Sequence, residues 1–578
     1  MIDARIRVSE NHDKLVFSAA PKDITTLKGL LMSKNPDLSF NRSAEGVSIA
    51  SNQVTSLDLG IPGVHFKWSE LSKRFVKNRM AVSSTFPNFL SKVNSIKNEG
   101  ADSARKVLGN RKSLNGLDPH QVVNVACMTL KEGFGLCVFD EQGAGKTVTM
   151  IHAFDVLVDN DEIDFALIIA PKSMVSEWPK DFEKFTHGVY KVETLIGTQK
   201  EKNQALARKA DIIVTNFETT VSMEQELTAL LRSYGDRSII VVDESFYAKN
   251  LEAGRTRSIR RLREYCKRGF VLCGTPAPNS PIDLVQQFNI VDLGCAFDGI
   301  VIPKERDIAI EVVSSVIEER GLFVRNLKVD VLPELPQKSF HKVIIPLQPE
   351  QAKLYKGLRD SLVSDLERVD SVDFEKQRMS FLARRSALLQ ICSNPASVSD
   401  TYNEVPAKLL AIDDILEDLI GKRGEKVILW SFYTAMIDLL YSRYKRFNPV
   451  RYDGTVNDIK ERREAVRLFK ETDLASLFIG NPAAAGAGLN LQSAKFAVYE
   501  SMSNQAAHYL QSLDRIHRRG QENQVEYIIL LCEDTLECQE YDRLLEKERT
   551  AQSILGDPSS TTLTREIMLS ELLDHPLD

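Results

Sequence analysis

The sequence has no apolar run approaching the ~20 consecutive residues that a membrane-spanning helix needs. Its opening residues, Met1-Ile-Asp-Ala-Arg5, lack the charged-then-apolar build of a secretory signal. Both absences point to a cytoplasmic protein, or a nuclear one if its source has a nucleus, with no membrane partner. The eight cysteines (Cys127, Cys137, Cys266, Cys273, Cys295, Cys392, Cys532, Cys538) are scattered, several inside apolar runs. None has the Cys-x-x-Cys or Cys/His spacing of a zinc site, so they read as reduced core residues. Low-complexity tracts and internal repeats are absent as well.

What is present is ordinary globular material, 43% apolar and 27% charged. At 578 residues the chain is too long for one core and divides into about three or four domains. The net charge of −6 argues against a polyanionic partner until its distribution is considered. Residues 1–116 hold 18 Lys/Arg against 10 Asp/Glu, a basic segment on an acidic remainder.

The stretch with the most chemistry is Leu136-Cys-Val-Phe-Asp140-Glu-Gln-Gly143-Ala-Gly145-Lys146-Thr147. An apolar strand that breaks into Gly143-Ala144-Gly145 lets backbone N–H groups turn around a triphosphate. Lys146 then reaches the β/γ oxygens and the Thr147 hydroxyl reaches Mg²⁺. Asp140 stands where the first glycine of the usual loop would.

Short alternating segments in 1–60 suggest β hairpins, and from Trp68 the pattern turns helical, with Lys73, Arg74, Lys77 and Arg79 basic beside Phe66 and Trp68. That face suits either a phosphate backbone or plain solvent. Another helix and a polar connection follow to residue 116. Apolar runs at 166–170, 211–215, 238–242 and 270–273, separated by helical stretches, mark a doubly wound parallel sheet. Residues 295–404 break that rhythm and read as a helical insertion. Runs at 427–430, 476–479, 496–499 and 525–531 mark a second such sheet, with no second Gly-Lys-Thr loop. The expected organisation is an N-terminal α+β accessory domain (1–116), a nucleotide-binding lobe (117–294), the insertion (295–404), a second lobe (405–550) and a tail (551–578).

A nucleotide loop needs carboxylates at the end of a neighbouring strand, and Asp243-Glu244 after Ile239-Ile-Val-Val242 meets that need. Asp243 would hold Mg²⁺ and Glu244 would orient the attacking water. Gly274-Thr275-Pro276 falls at the carboxyl edge of the same sheet, where it either senses the nucleotide state through the Thr275 hydroxyl or forms a plain β-turn. In the second lobe, Arg515 and Arg518 lie three apart, on one face of a helix, a pattern that by itself suits a basic solvated face and that across a cleft would neutralise charge on a γ-phosphate.

In order along the chain stand Asp140-Glu-x-Gly-x-Gly-Lys-Thr147, Asp243-Glu-Ser-Phe246, Gly274-Thr-Pro-x-x-Asn279, Gly486-x-Gly-Leu-Asn-Leu491 and Gln511-x-x-Asp-Arg-x-His-Arg-x-Gly-Gln521. Together they resemble the superfamily 2 helicase-like ATPases, specifically the Swi/Snf-type DNA translocases and remodellers, over about residues 117–548. The resemblance implies two RecA-like lobes. It makes Gln121 the adenine-reading glutamine, Lys146, Thr147, Asp243 and Glu244 the hydrolytic set, and Arg515 and Arg518 arginine fingers with Gln511 beside them. It places Pro171, Lys172, Ser173, Thr215, Asn216, Ser431, Gly486, Gly488 and Asn490 on the phosphates of the tracking strand, and Gly274 and Thr275 in coupling. The implied cofactors are ATP and Mg²⁺ and the implied partner is double-stranded DNA, including branched or forked DNA, with 1–116 engaging DNA or a protein. Such a protein would be nucleoid-associated in a bacterium, or in the viral or host cytoplasm if from a phage.

Two departures stand out. The family's His after Asp-Glu-x is Phe246, which removes a polar link to the Gly-Thr-Pro motif. Tyr499-Glu-Ser-Met-Ser503-Asn504 replaces an Asp followed by Trp-Asn-Pro. The implied activity is ATP-driven movement along duplex DNA. The alternatives are a strand-separating DNA or RNA helicase, and a nucleotide-gated DNA-binding scaffold that recruits an effector.

Overall fold

The computed structural model describes residues 2–552, apart from 44, 275, 277–281, 304, 457–458, 485–488 and 503–505, together with Met568 and Leu572. The chain forms two compact units, Met1–Val331 and Leu332–Ser553.

The first unit opens with alternation. In β1 (Ile2–Val8), Ala4 and Ile6 point into a core while Asp3, Arg5 and Arg7 face outward. With β2 (Lys14–Ser18), β3 (Phe40–Ser43), β4 (Gly46–Ala50) and β5 (Val64–Trp68) it makes a mixed sheet of order β3-β4-β2-β1-β5. The helix Ile24–Lys34 buries Leu27 and Leu31 in the same core, against which Phe66 and Trp68 also pack.

The two helices expected between Trp68 and residue 116 begin as one 30-residue helix, Glu70–Glu99, with Pro87 inside it. Ser69 caps it, accepting the Ser72 N–H at 3.1 Å. An apolar stripe of Phe75, Val82, Phe86, Phe89, Val93 and Ile96 runs its length, and Phe89 meets Phe134 edge-on at 5.0 Å. The expected basic face is divided in two. Lys73 and Lys77 are exposed, but Arg79 is buried in an ion pair with Glu264 and Arg74 donates to the Glu264 carbonyl. Residues 1–116 are therefore packed onto the rest of the first unit.

The second sheet of this unit is wholly parallel. Its strands are β6 (Gly135–Val138), β7 (Phe165–Ile169), β8 (Val192–Thr194), β9 (Ile212–Thr215), β10 (Ser238–Asp243), β11 (Arg268–Leu272) and β12 (Phe323–Val324), in the order β12-β6-β11-β10-β7-β9-β8. Every residue of β6, β7, β9, β10 and β11 is buried, as continuous Ile/Val/Leu runs require. The carboxyl ends of β6 and β10, with β11 between them, carry the phosphate loop and Asp243-Glu244.

The second unit holds another parallel sheet: β13 (Lys338–Ile345), β14 (Val427–Trp430), β15 (Val450–Tyr452), β16 (Leu477–Gly480), β17 (Phe496–Tyr499) and β18 (Val525–Cys532), ordered β13-β18-β17-β14-β16-β15. The segment 295–404, expected as a single helical insertion, is split between the units. Its first part ends in β12, which pairs with β6. Its second part contains β13, which pairs with β18 over eight residues before the helices Pro349–Arg368 and Ser371–Ser393 begin. Tyr355, Leu362 and Leu366 close a core with Phe381, Leu388, Met568 and Leu572. The rest of the tail, 553–578, lies outside the described residues.

None of the eight cysteines forms a disulfide, and six of them are buried. Among the described residues, no helix is long and apolar enough to cross a membrane.

Candidate nucleotide site

Two glycines set the loop's path. Gly143 and Gly145 have φ of +86° and +92°, a region that L side chains avoid. A Cβ on Gly145 would also fall 2.1 Å from Gln121 Nε2, so conformation and space both require glycine there. The loop delivers Lys146 to the first position of the helix Lys146–Asp159, with Thr147 next, where backbone N–H groups point outward to an anion.

Lys146, 8% exposed, donates to the main-chain carbonyls of Asp140 at 2.9 Å and Glu141 at 3.4 Å. Its bonded partners are thus neutral groups of its own loop, and its positive charge stays available for a phosphate. Asp140 is fully buried and accepts from Asn124 and Asn326, each at 2.7 Å. Burial pushes its pKa up, against those hydrogen bonds. In place of a first glycine, the loop has a carboxylate that fastens it to the helix Pro119–Thr129 and to the strand extension at Asn326.

Gln121 sits on that helix, its Oε1 accepting the Asp118 N–H at 3.0 Å and its Nε2 directed to the Ala144 carbonyl at 3.4 Å. His120 lies beside it, Nε2 at 2.9 Å from the same carbonyl. The expected nucleotide residues Gln121, Gly143, Ala144, Gly145, Lys146 and Thr147 therefore gather at one place.

The acidic pair ends β10. Asp243 accepts the Trp178 indole N–H at 3.1 Å and the Glu244 N–H at 3.0 Å. Burial, then the adjacent Glu244 charge, push its pKa up to about 7, while Lys146 pulls it down. Glu244 has a left-handed backbone, φ 50°. Its Oε1 accepts from Gln142 Nε2 at 2.7 Å, while its buried Oε2 has no hydrogen-bond partner. Two buried carboxylates side by side, one oxygen unsatisfied, form an arrangement that a divalent cation completes.

Phe246 stacks on Tyr247 at 4.3 Å and makes no polar link. A different route exists one residue earlier. Ser245 Oγ donates to Gln287 Oε1 at 2.5 Å, and Gln287 Nε2 donates to the Pro276 carbonyl at 2.6 Å. Gln287 is fully buried, on the face of the helix Asp283–Asp292 that also buries Leu284, Phe288 and Val291. The Asp-Glu strand is thus joined to the Gly-Thr-Pro segment through Gln287. Thr275 itself lies outside the described residues.

Of the expected nucleic-acid contacts, Asn216 and Ser431 are bonded within the protein and Thr215 is buried. The Thr215 side chain, on a strand interior to the sheet, is fully buried, with Oγ1 unpartnered. Asn216 caps the helix Phe217–Ser222, accepting the Thr219 N–H at 2.8 Å. Ser431, also fully buried, donates to Glu500 at 2.8 Å, and the Glu500 carbonyl accepts from buried Lys408. In this structure the Thr215 hydroxyl is buried without a partner, and the Ser431 hydroxyl is held by Glu500. Pro171 and Ser173 are half-buried, Lys172 exposed and Asn490 half-buried. Gly486 and Gly488 lie outside the described residues.

In the second unit, the helix Ala506–Leu513 contains Gln511 but ends before the arginines. Arg515 and Arg518 lie in the following turns, not on one helix face as expected. They still converge, since both donate to the Leu489 carbonyl, at 3.4 and 3.1 Å. The motif's final Gln521 bonds three main-chain carbonyls, of Gln492 (3.1 Å), Ala494 (3.0 Å) and Ile516 (3.3 Å), after Gly520 turns the chain at φ +92°.

Sequence reasoning missed Gln142, Asn124, Asn326 and Gln287. Gln142 fills an open position of its motif, and Gln287 alone left a signal, as a polar residue on an apolar helix face.

Two family models match the chain: the SNF2-related domain over residues 119–397 and the helicase conserved C-terminal domain over 408–520. The chain belongs to the Swi/Snf-type group of superfamily 2 helicase-like ATPases. Among its relatives, the ISWI chromatin-remodeling complex ATPase ISW1 of Saccharomyces cerevisiae is 26% identical over 477 residues, 76% of this chain and 41% of that protein. The putative ATP-dependent helicase/translocase YwqA of Bacillus subtilis is 27% identical over 441 residues, 73% of this chain and 46% of that protein. The chain thus spans less than half the length of these two relatives. The Sulfolobus solfataricus SWI2/SNF2 ATPase core in complex with dsDNA aligns with 80% of this chain and 98% of its own, at 22% identity and a TM-score of 0.34.

Proposed function

We propose that this protein hydrolyses ATP and couples hydrolysis to movement along double-stranded DNA. The observation that carries the reading is the convergence at one sheet edge of a glycine-turned loop, a lysine bonded only to main-chain carbonyls, and the Asp243–Glu244 pair. In this assignment Lys146 and the loop N–H groups bind the β- and γ-phosphates, and Gln121 reads the adenine. Thr147 and Asp243 hold Mg²⁺, which when bound neutralises charge on the phosphate oxygens. Glu244 orients and polarises the attacking water, taking its proton through the free carboxylate oxygen. Arg515 and Arg518 are assigned to the charge that builds on the γ-phosphate. Relatives named as chromatin-remodelling ATPases, a helicase/translocase and DNA repair and recombination proteins support duplex DNA as partner, with Pro171, Lys172, Ser173 and Asn490 as its contacts.

The scaffold reading rested on Phe246, and the Ser245–Gln287–Pro276 route supplies a polar link in its stead. The deciding measurement is the ATPase rate with duplex DNA, single-stranded DNA and RNA in turn. Duplex DNA should stimulate most. Equal or greater stimulation by single strands or RNA would favour a strand-separating helicase, which a duplex-unwinding assay against triplex displacement then identifies.

A further inference from the structure

Gln142 occupies the open position of the phosphate-loop motif, yet its side chain touches two other motifs. Its Nε2 donates to Glu244 Oε1 at 2.7 Å. Its stem lies over Gly274, where a Cβ would fall 2.6 Å from Gln142 Cγ and 2.7 Å from Cδ, so the seat exists because residue 274 has no side chain. Phe246, stacked on Tyr247, offers Glu244 no donor. Gln142 thus joins the phosphate loop, the acidic pair and the Gly-Thr-Pro segment.

A hydrogen bond of this length to a carboxylate fixes the direction of the oxygen that accepts it. Glu244 is therefore tied by one oxygen, on a left-handed backbone that a non-glycine residue adopts only when its surroundings impose it. Such a tether opposes the reorientation that contact with an attacking water requires.

We propose that Gln142 is a positioning residue that restrains Glu244 in the resting enzyme, and that DNA engagement releases it by shifting the Gly274 segment from under the Gln142 stem. The inference rests on the assignment of Glu244 as the water-orienting base of a DNA-stimulated ATPase.

The test is the full-length protein carrying Gln142→Met, which keeps the length and removes the donor, assayed for ATP hydrolysis with and without duplex DNA. DNA-free kcat should rise roughly fivefold and the stimulation ratio fall by a similar factor, with KM for ATP changed less than twofold. Gly274→Ala, which displaces the wild-type glutamine by adding a Cβ, should move both quantities the same way. Affinity for a fluorescent non-hydrolysable ATP analogue confirms that each variant is folded. Should Gln142→Met fail that control, Gln142→Asn, one methylene short of Glu244, must give the same pattern. A folded variant with unchanged basal rate and ratio overturns the proposal and leaves the ATPase reading standing, as does a lowered basal rate at an unchanged ratio. A wild-type protein that hydrolyses ATP without stimulation by DNA overturns both.

Discussion

Arg79 reaches from the long amino-terminal helix to Glu264 at 2.7 Å, and the two are 4% and 1% exposed. The pair is built into a polar joint. Asn78 also donates to the Glu264 carboxylate at 3.0 Å, and Arg260 donates to the His12 carbonyl at 2.7 Å. Breaking a buried ion pair by removing one partner leaves a stranded charge, at a cost of about 3–5 kcal/mol. Arg79→Met should lower the unfolding free energy by that amount in denaturant titration. Removing residues 1–116 should strip Phe134 of Phe86 and Phe89 and yield an insoluble chain. A soluble, cooperatively unfolding truncation would show the joint to be dispensable.

His12 makes the same joint sensitive to acid. It is 2% exposed, and burial, then the charges of Arg79, Arg260 and Arg261, hold its pKa down at about 2. Glu264, 3.9 Å away, is already committed to Arg79. The unfolded chain protonates this imidazole below about pH 6.5 and the folded chain does not, so its contribution is full above that pH and declines as pH falls. His12→Asn tolerates the left-handed backbone (φ 53°) and removes the titration. Between pH 6.5 and 5, wild-type stability should drop by about 2 kcal/mol more than that of the variant.

The hydrolytic assignment makes a divided forecast. Lys146→Ala should abolish turnover and weaken nucleotide binding together, since it removes the charge that meets the phosphates. Glu244→Gln should abolish turnover while ATP binding persists, because it spares the loop. Measured turnover in either variant, with nucleotide affinity by equilibrium titration, separates the two roles.

Trp178 permits a test aimed at the metal. Its indole N–H orients Asp243 through Oδ2. Loss of such a supporting bond typically costs roughly 10- to 100-fold in metal affinity. Trp178→Phe keeps the ring in the core and removes the donor, so half-maximal hydrolysis should require at least roughly tenfold more Mg²⁺, with saturating rates largely restored.

Much of this was legible in order along the chain. Continuous runs such as Ile239-Ile-Val-Val242 can only be buried strands when helical stretches flank them, and glycines before Lys146 have few uses other than a phosphate turn. What escaped was long-range. β13 reads as a mixed polar and apolar segment because only its pairing with β18 makes it a strand. Arg79 read as one of a basic row until Glu264, 185 residues away, claimed it.

Gln521 extends this lesson to a residue that closes a family motif. Its amide spans the carbonyls of Gln492, Ala494 and Ile516, tying the loop that carries Leu489 to the turn that carries Arg515 and Arg518. Gln521→Leu is similar in size and leaves those buried carbonyls without their donor, a loss of about 1–3 kcal/mol for an unsatisfied group. The second unit should lose roughly that much stability. Hydrolysis should fall further than instability alone predicts, because Arg515 and Arg518 lose the carbonyl they share when the loop drifts. Thermal unfolding and ATPase rates of the same preparation decide the matter. Lost stability with a rate proportional to the folded fraction would confine Gln521 to architecture, and a rate well below that fraction would make it the strut that sets the arginines.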